Sequence, residues 1–372
     1  MRSENLATLA PEFYGPSLES YRLLLQDAGQ LADLKNASTI LSIGLDGRFG
    51  WSVVALELKH AVRRGAALTT IFPREHNLSR FAAQSLALDD LALADALQML
   101  VRLTAGDGSA LISAVSDPVG LAGSDITPEM AADLVSLARS LVEDSSPVIV
   151  LGPEYLASPA SPQILAALAS LARQTGATVL PLAPQSNLVG AFREVVDADR
   201  LSLPPSLDVL YLLGETPAST DPAAGFLIYQ NFSSFTGSRQ PDLSLPAAAF
   251  AEVDGTTFNL EGRTQQVNKA VEPPGEALPD WLILCRIAQK MGYQGFDYAD
   301  VPAIQREMAQ LTIVHPDPHI MSGADAENKT DDNHKNLRVI RTPLNPASSQ
   351  DVYRGFPLTT WVEGLRMFEP GL

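Results

Sequence analysis

The sequence predicts a mixed α/β fold with mainly parallel sheets covered by helices. Three observations carry this. Short runs recur that end in glycine, segments of helical period separate them, and the runs are apolar almost throughout rather than alternating, as strands buried on both faces are. The first run, 39–44 (TILSIG), is followed by 52–64, where Val53, Val54, Leu56, Ala61 and Val62 recur at helical spacing and Gly65 supplies a stop. A second run at 67–72 is then expected to lie parallel to the first through a right-handed crossover. Segments 86–104 and 128–142 read as helices. The plan repeats with a strand at 147–152, an Ala- and Leu-rich helix at 163–174 stopped by Gly176, and a strand at 177–180. A third set of runs covers 207–214, 225–230 and 242–246. Further on, Asp280 is expected to N-cap a helix over 281–291 that Gly292 ends. Residues 315–336 are dominated by Pro, Asp, Asn, Gly and His and read as a long loop, and 353–366 reads as a turn and short helix whose Trp361 and Leu365 suit docking on the body or on a partner. The resulting division is an N-terminal extension (1–35), an α/β domain (36–180), a second α/β domain (181–312) and a loop-rich tail (313–372).

Composition narrows the function classes. The 372 residues carry a net charge of −17, which argues against a nucleic-acid binder, and no polybasic run offers attraction to anionic lipid. There is a single cysteine, Cys285, so an intrachain disulfide and any cluster held by several thiolates of this chain are both excluded. Cys285 lies in an apolar helical pattern and reads as a buried thiol. The first residues lack the apolar core of a signal peptide and no apolar run reaches membrane-spanning length, so the expected location is cytoplasmic, with any membrane association made through partners, for instance at the cytoplasmic face of an inner membrane.

Few residues announce chemistry. Gly44 before Leu45-Asp46-Gly47, Gly152, and Gly214 before Glu215-Thr216-Pro217 each end a strand, where open parallel sheets bind ligands. A glycine there either lets a backbone approach a phosphate or simply makes a turn. His315 and His319, with His334 and several aspartates, form either a surface metal site or a solvated loop; Pro316 and Pro318 preclude a regular helix between them. His60 and His76 are isolated, and neither a P-loop, a GxSxG nor an HExxH motif occurs, so no catalytic residue and no metal ligand is assigned.

The most informative stretch is 245–292, LPAAAFAEVDGTTFNLEGRTQQVNKAVEPPGEALPDWLILCRIAQKMG. It resembles the molybdopterin oxidoreductase superfamily, to which molybdenum formate dehydrogenases and the large iron–sulfur subunit of complex I, the NADH:quinone oxidoreductase, belong. Leu245, Pro246, Glu252, Gly255, Thr256, Asn259, Glu261, Gly262, Arg263 and Gln265 match the family's LP…E…GT…N-x-EGR-x-Q block, which is followed by PPG and DW. Ile43-Gly44 with Ala61 to Ala66, Pro73-Arg74 beside the family's DPR, Gln185 to Ala191 beside QNNVQGA, and Tyr211 to Pro217 with Asp221-Pro222 beside YxxGENP…DP agree in order over about residues 35–310. The resemblance implies two interleaved Rossmann-like domains of the formate dehydrogenase/DMSO reductase domain II–III type, with 36–180 like domain III and 181–312 like domain II.

The departures shape the expected function. The family's N-terminal iron–sulfur domain, the segment bearing the Cys or Sec ligand to molybdenum and the C-terminal β-barrel have no counterpart in the sequence. Ala183 stands where formate dehydrogenases carry a catalytic arginine, and Phe72 where DPR has its aspartate. Removing charged groups from a reacting centre removes the electrostatic stabilisation the chemistry needs. The motif wording leans to the complex I branch, whose corresponding region generally carries no molybdenum. The resemblance therefore implies a structural, cofactor-free subunit in the peripheral arm of a complex I-like oxidoreductase. Its partners would be other subunits of the redox complex, above all an iron–sulfur subunit, and the clusters would reside only in those chains. The alternative implied by the formate dehydrogenase likeness is a piece of a split molybdenum enzyme that binds molybdopterin guanine dinucleotide. In that case Gly44, Asp46, Arg74, Asn187, Gly214, Glu215 and Asn259 are the residues expected at the cofactor.

Overall fold

The structure is a computed structural model and describes residues 17–26, 28–48, 50–105, 126–183, 187, 190, 206–214, 224–235 and 239–310. The expected loop at 315–336, the segment at 353–366 and Glu215 lie outside the described residues. The chain divides into a larger unit (10–201, 258–263 and 343–372) and a smaller one (1–9, 202–257 and 264–342).

The larger unit is built on a five-stranded, all-parallel sheet of order β3-β2-β1-β4-β5. The strands are β1 (Thr39–Ile43), β2 (Ala67–Phe72), β3 (Gln84–Ala87), β4 (Val148–Leu151) and β5 (Thr178–Pro181). Among the described residues its helices are α1 (Leu18–Gln26), α2 (Ser52–Arg63), α3 (Asp90–Thr104), α4 (Pro128–Glu143) and α5 (Ser161–Thr175). Alternate residues of the strands feed two apolar layers. Leu41, Ile43, Ile71, Leu86, Ile149 and Leu151 pack with α1, α3, α4 and α5, and Ile40, Leu68, Val148 and Val150 pack with α2 and the 3₁₀ turn Leu31–Lys35. Burying both faces explains why these strands read as continuous apolar runs.

The helices start and stop by local chemistry. Asp89 caps α3 by accepting from the Ala92 N–H at 2.9 Å, Thr127 caps α4 from Met130 at 3.2 Å with Pro128 in the first turn, and Gly176 ends α5 at φ +68°. The segment expected to be helical from residue 86 is corrected: Leu86 sits in β3, and helix begins only at Asp90. β3 exists because it pairs with β2, Thr69 opposite Gln84 and Thr70 opposite Ser85, with their side chains hydrogen-bonded at 3.1 Å.

The smaller unit holds a three-stranded parallel sheet, β6 (Leu207–Leu213), β7 (Ala224–Asn231) and β8 (Leu243–Pro246), in sequence order. A two-stranded sheet, β9 (Gly255–Phe258) and β10 (Thr264–Val267), flanks the NLEGR loop, which with Phe258 counts with the larger unit, and α6 (Asp280–Lys290) and α7 (Val301–Gln310) follow in the smaller one. The third set of runs is thus parallel as expected. Asp280 is corrected from cap to first helical residue: the N-cap is Pro279, and the Asp280 carboxylate accepts instead from Gln230 Nε2 at 2.7 Å. Gln230 is fully buried and also receives the Tyr211 hydroxyl, so a non-local partner outbids the local cap. Gly292 follows α6 at φ +84°, and Cys285 is buried and free, burial pushing its thiol up. Among the described residues no helix is long and apolar enough to cross a membrane.

Candidate functional site

In a sheet of order 3-2-1-4-5 the strand order reverses between β1 and β4, and the crevice beyond their carboxyl ends is where doubly wound sheets receive ligands. Gly44 and Gly152 end those two strands. They close on each other. Gly152 N–H donates to Ile43 O at 2.7 Å, Glu154 N–H to Gly44 O at 3.4 Å, and a Cβ placed on Gly152 would lie 2.1 Å from the Gly44 carbonyl oxygen. A Cβ on Gly44, whose φ is +66°, would meet the Tyr155 ring at 3.0 Å and Glu154 Cβ at 3.2 Å. The glycines thus admit one another's backbone.

The surrounding charges are matched in pairs. Arg48 grips Asp46 through Nη2 at 2.8 Å and Nε at 3.2 Å. Burial would raise the Asp46 carboxyl, but the Arg48 hydrogen bonds and charge outweigh it and hold the group below the usual carboxylate range. Arg74 lies 3.8 Å from Glu154 and 5.2 Å over the Phe72 ring. Glu154 is pushed up: burial dominates, Arg74 offsets part of it, and the Asp46 charge adds to it. Buried Phe72 stacks on His76 at 4.8 Å, and His76 Nδ1 lies 2.9 Å from Ser79 Oγ, burial lowering its basicity. Beside the ends of β2 and β3 an open cleft of about 360 Å³ is lined by Arg74, Glu75, Ser79, Arg80, Ser85 and Ala87.

Three expected residues, Gly44, Asp46 and Arg74, therefore share one edge. Asn187 and Asn259 form a different cluster in the same unit. Asn187, at φ +60°, accepts from the Phe258 N–H at 2.9 Å, and Gly190 leaves room for it, since a Cβ there would lie 2.4 Å from Asn187 Oδ1. Asn259 Oδ1 accepts from the Glu261 and Arg263 N–H groups at 3.0 and 2.8 Å, its amide donates to Glu261, and Glu261 accepts from the Leu31 N–H at 2.8 Å. Gly214 belongs to the smaller unit; it turns at φ +84° with open space where a Cβ would point. Ala183 packs against the α3–α5 side of the core. Sequence reading missed Glu154 and Arg48 and set His76 aside as isolated; the signal for Glu154 was its place two residues after a strand-ending glycine.

A pterin dinucleotide brings a pyrophosphate that seeks open backbone N–H groups or unmatched cations. The groups at the switch point make no such cradle, because the glycines that end β1 and β4 close on each other and Arg48 and Arg74 each face a carboxylate. Among the described residues no cluster of three or more metal-ligating side chains occurs.

The raised Glu154 predicts a pH signature. Its folded pKa exceeds its unfolded value, so the stability it contributes is full while both states are protonated and is lost as pH rises through the folded pKa. Glu154→Gln is expected to unfold with the wild type near the ordinary glutamate pKa of about 4.3 and progressively above it towards neutrality. Melting temperatures across that range check this, and a difference that stays flat or reverses would refute it.

A doubly wound parallel sheet with a second, smaller parallel sheet defines the class of molecule, and the comparisons supply the family. The molybdopterin oxidoreductase family matches residues 7–290, and the chain belongs to that family. It is 25% identical over 317 residues to the mitochondrial NADH-ubiquinone oxidoreductase 78 kDa subunit of Neurospora crassa, covering 83% of this chain and 38% of that one. It is 39% identical over 118 residues to the F420-dependent formate dehydrogenase subunit alpha of Methanocaldococcus jannaschii, covering 29% of this chain and 18% of that one. Acetylene hydratase from Pelobacter acetylenicus shares the fold, with a TM-score of 0.56 at 14% identity over 79% of this chain and 53% of that one. The chain thus spans well under two thirds of the length of each.

Proposed function

We propose that this chain is a structural, cofactor-free body within a multi-subunit redox complex of the complex I type, held at a membrane, if at all, through its partners. The observation that carries the proposal is the closed switch point: Gly152 against Gly44, with Glu154 and Tyr155 over them. Phe72 and Ala183 at positions where the family pattern has charged side chains support it, as does likeness along most of the chain to a complex I subunit. Electron transfer would then run through iron–sulfur clusters of partner chains, with no reacting group here.

The second reading is a pterin-binding piece of a split molybdenum oxidoreductase. Identity of 39% to a formate dehydrogenase alpha subunit and the open space at Gly214 favour it. Molybdenum, tungsten and pterin content of the native, affinity-purified complex separates the two. The expected result is iron from co-purifying chains without stoichiometric pterin. Near-stoichiometric metal and pterin would overturn the first reading and leave the second.

A further inference from the structure

Helix α2 of the larger unit buries one side and exposes the other. Val54, Ala55, Leu58 and Ala61 pack into the core, whereas Val53 is 61% and Leu56 49% exposed. By helical period Val53, Leu56 and His60 follow one another along the outward ridge, with Lys59 and Arg63 on one flank and Glu57 and Arg64 on the other. The Lys59 ammonium lies 5.0 Å from the centre of the Phe81 ring. That contact joins Phe81, itself 37% exposed, and the exposed Arg80 beside it to the same surface.

A lone exposed leucine needs no explanation, but the charges around this one do. In a chain with 43 Asp and Glu against 26 Lys and Arg, cations are the scarce charge. Here they gather. The surface holds Lys59, Arg63, Arg64 and Arg80 against Glu57, which lies 3.4 Å from the His60 ring, and Glu75, which lines the cleft with Arg80. Arg64 donates to the Leu34 carbonyl, and among the described residues none of Lys59, Arg63 and Arg80 is in an ion pair. These charges decide the occupant. A second copy pairing through the same face would set like cations against each other. An anionic lipid surface would attract the patch but repel a chain of net charge −17. A partner helix with an apolar ridge and carboxylates beside it satisfies both the apolar and the cationic groups, ridge packing against ridge. We propose that the outward face of α2, with Phe81 and Arg80, docks an amphipathic helix with aspartate and glutamate flanks, contributed by a partner chain of the complex. The inference needs a partner chain, as both readings of the function do, and holds whether or not a pterin is bound, so metal and pterin content does not test it.

The test treats the native, affinity-purified complex with a carbodiimide, which joins a lysine amine to a touching carboxylate with loss of water, and maps the new amides by mass spectrometry. Lys269, whose Nζ is 2.8 Å from the Glu272 carboxylate, must react within this chain and is the internal control. The expected adduct joins Lys59 to an Asp or Glu of a co-purifying chain, in a peptide with apolar residues at helical spacing and net negative charge. Lys59 left unjoined while Lys269 has reacted overturns the proposal, as does Lys59 joined to another segment of this chain or to a differently isotope-labelled second copy. A charge test accompanies it. V53E/L56E should lower co-purified partner at least ~10-fold with the melting temperature of this chain unchanged, and V53K/L56K should lower it less. Equal loss from both pairs refutes the acidic flanks. The full chain is expected not to bind vesicles of phosphatidylcholine and phosphatidylserine; binding that V53E/L56E abolishes would make the occupant a lipid surface and overturn the proposal.

Discussion

Gly152→Ala is expected to destabilise the larger unit by about 3 kcal/mol or more, among the largest effects any single substitution in the chain can have. The reason is geometric. The new methyl would sit 2.1 Å from the Gly44 carbonyl oxygen, 2.5 Å from its carbon and 2.8 Å from the Leu45 nitrogen, all of them backbone atoms. A flexible side chain could swing aside; two adjacent strand ends cannot part without breaking the Gly152–Ile43 hydrogen bond and exposing the buried layer beneath. Gly65→Ala is the control. Gly65 has φ +105° but nothing within 4 Å, so alanine there meets backbone strain alone, about 1–2 kcal/mol. Thermal unfolding of the two variants measures the difference. A Gly152→Ala protein that melts with the wild type would mean that the switch point opens in solution, and the principal support for a cofactor-free body would go with it.

What the sequence revealed and what it hid divide along local and non-local physics. Period and glycine stops located β1, α2, β2, β4, α5 and β5, because a strand buried on both faces and a helix buried on one write their environment into consecutive residues. β3 escaped because Gln84-Ser85-Leu86-Ala87 has no β-branched residue and one buried side chain; its partner is β2, fifteen residues away. Asp280 misled for a similar reason, since its carboxylate serves Gln230, fifty residues back. The site behaves likewise. Each strand-ending glycine was visible, but that Gly44 and Gly152 occupy each other's space depends on β1 and β4 being neighbours, a fact of topology. Arg48 two residues from Asp46 was within local reach, whereas Glu154 facing Arg74 was not. The resemblance named Asn187 and Asn259 by motif, and only the structure shows their atoms bonded into one loop.

Asn259→Ala is expected to cost about 1–3 kcal/mol, because it strips the acceptor from two backbone N–H groups at once and frees the Glu261 carboxylate that holds Leu31. Glu261→Ala should cost a comparable amount by releasing the Leu31 N–H, and the double variant less than the two single costs together, since each change already breaks the Asn259–Glu261 bond. The cycle distinguishes a loop lock from a ligand site. A residue whose task is to hold a pterin leaves stability almost untouched when truncated and lowers cofactor loading instead. Here every polar atom of the Asn259 side chain is engaged by the NLEGR turn, with Asn187 securing the same turn at Phe258. Denaturant unfolding of the three variants reads the coupling. Additive costs, or an Asn259→Ala midpoint equal to the wild type, would show that the motif is kept for something other than this turn and would return Asn259 to the list of cofactor ligands.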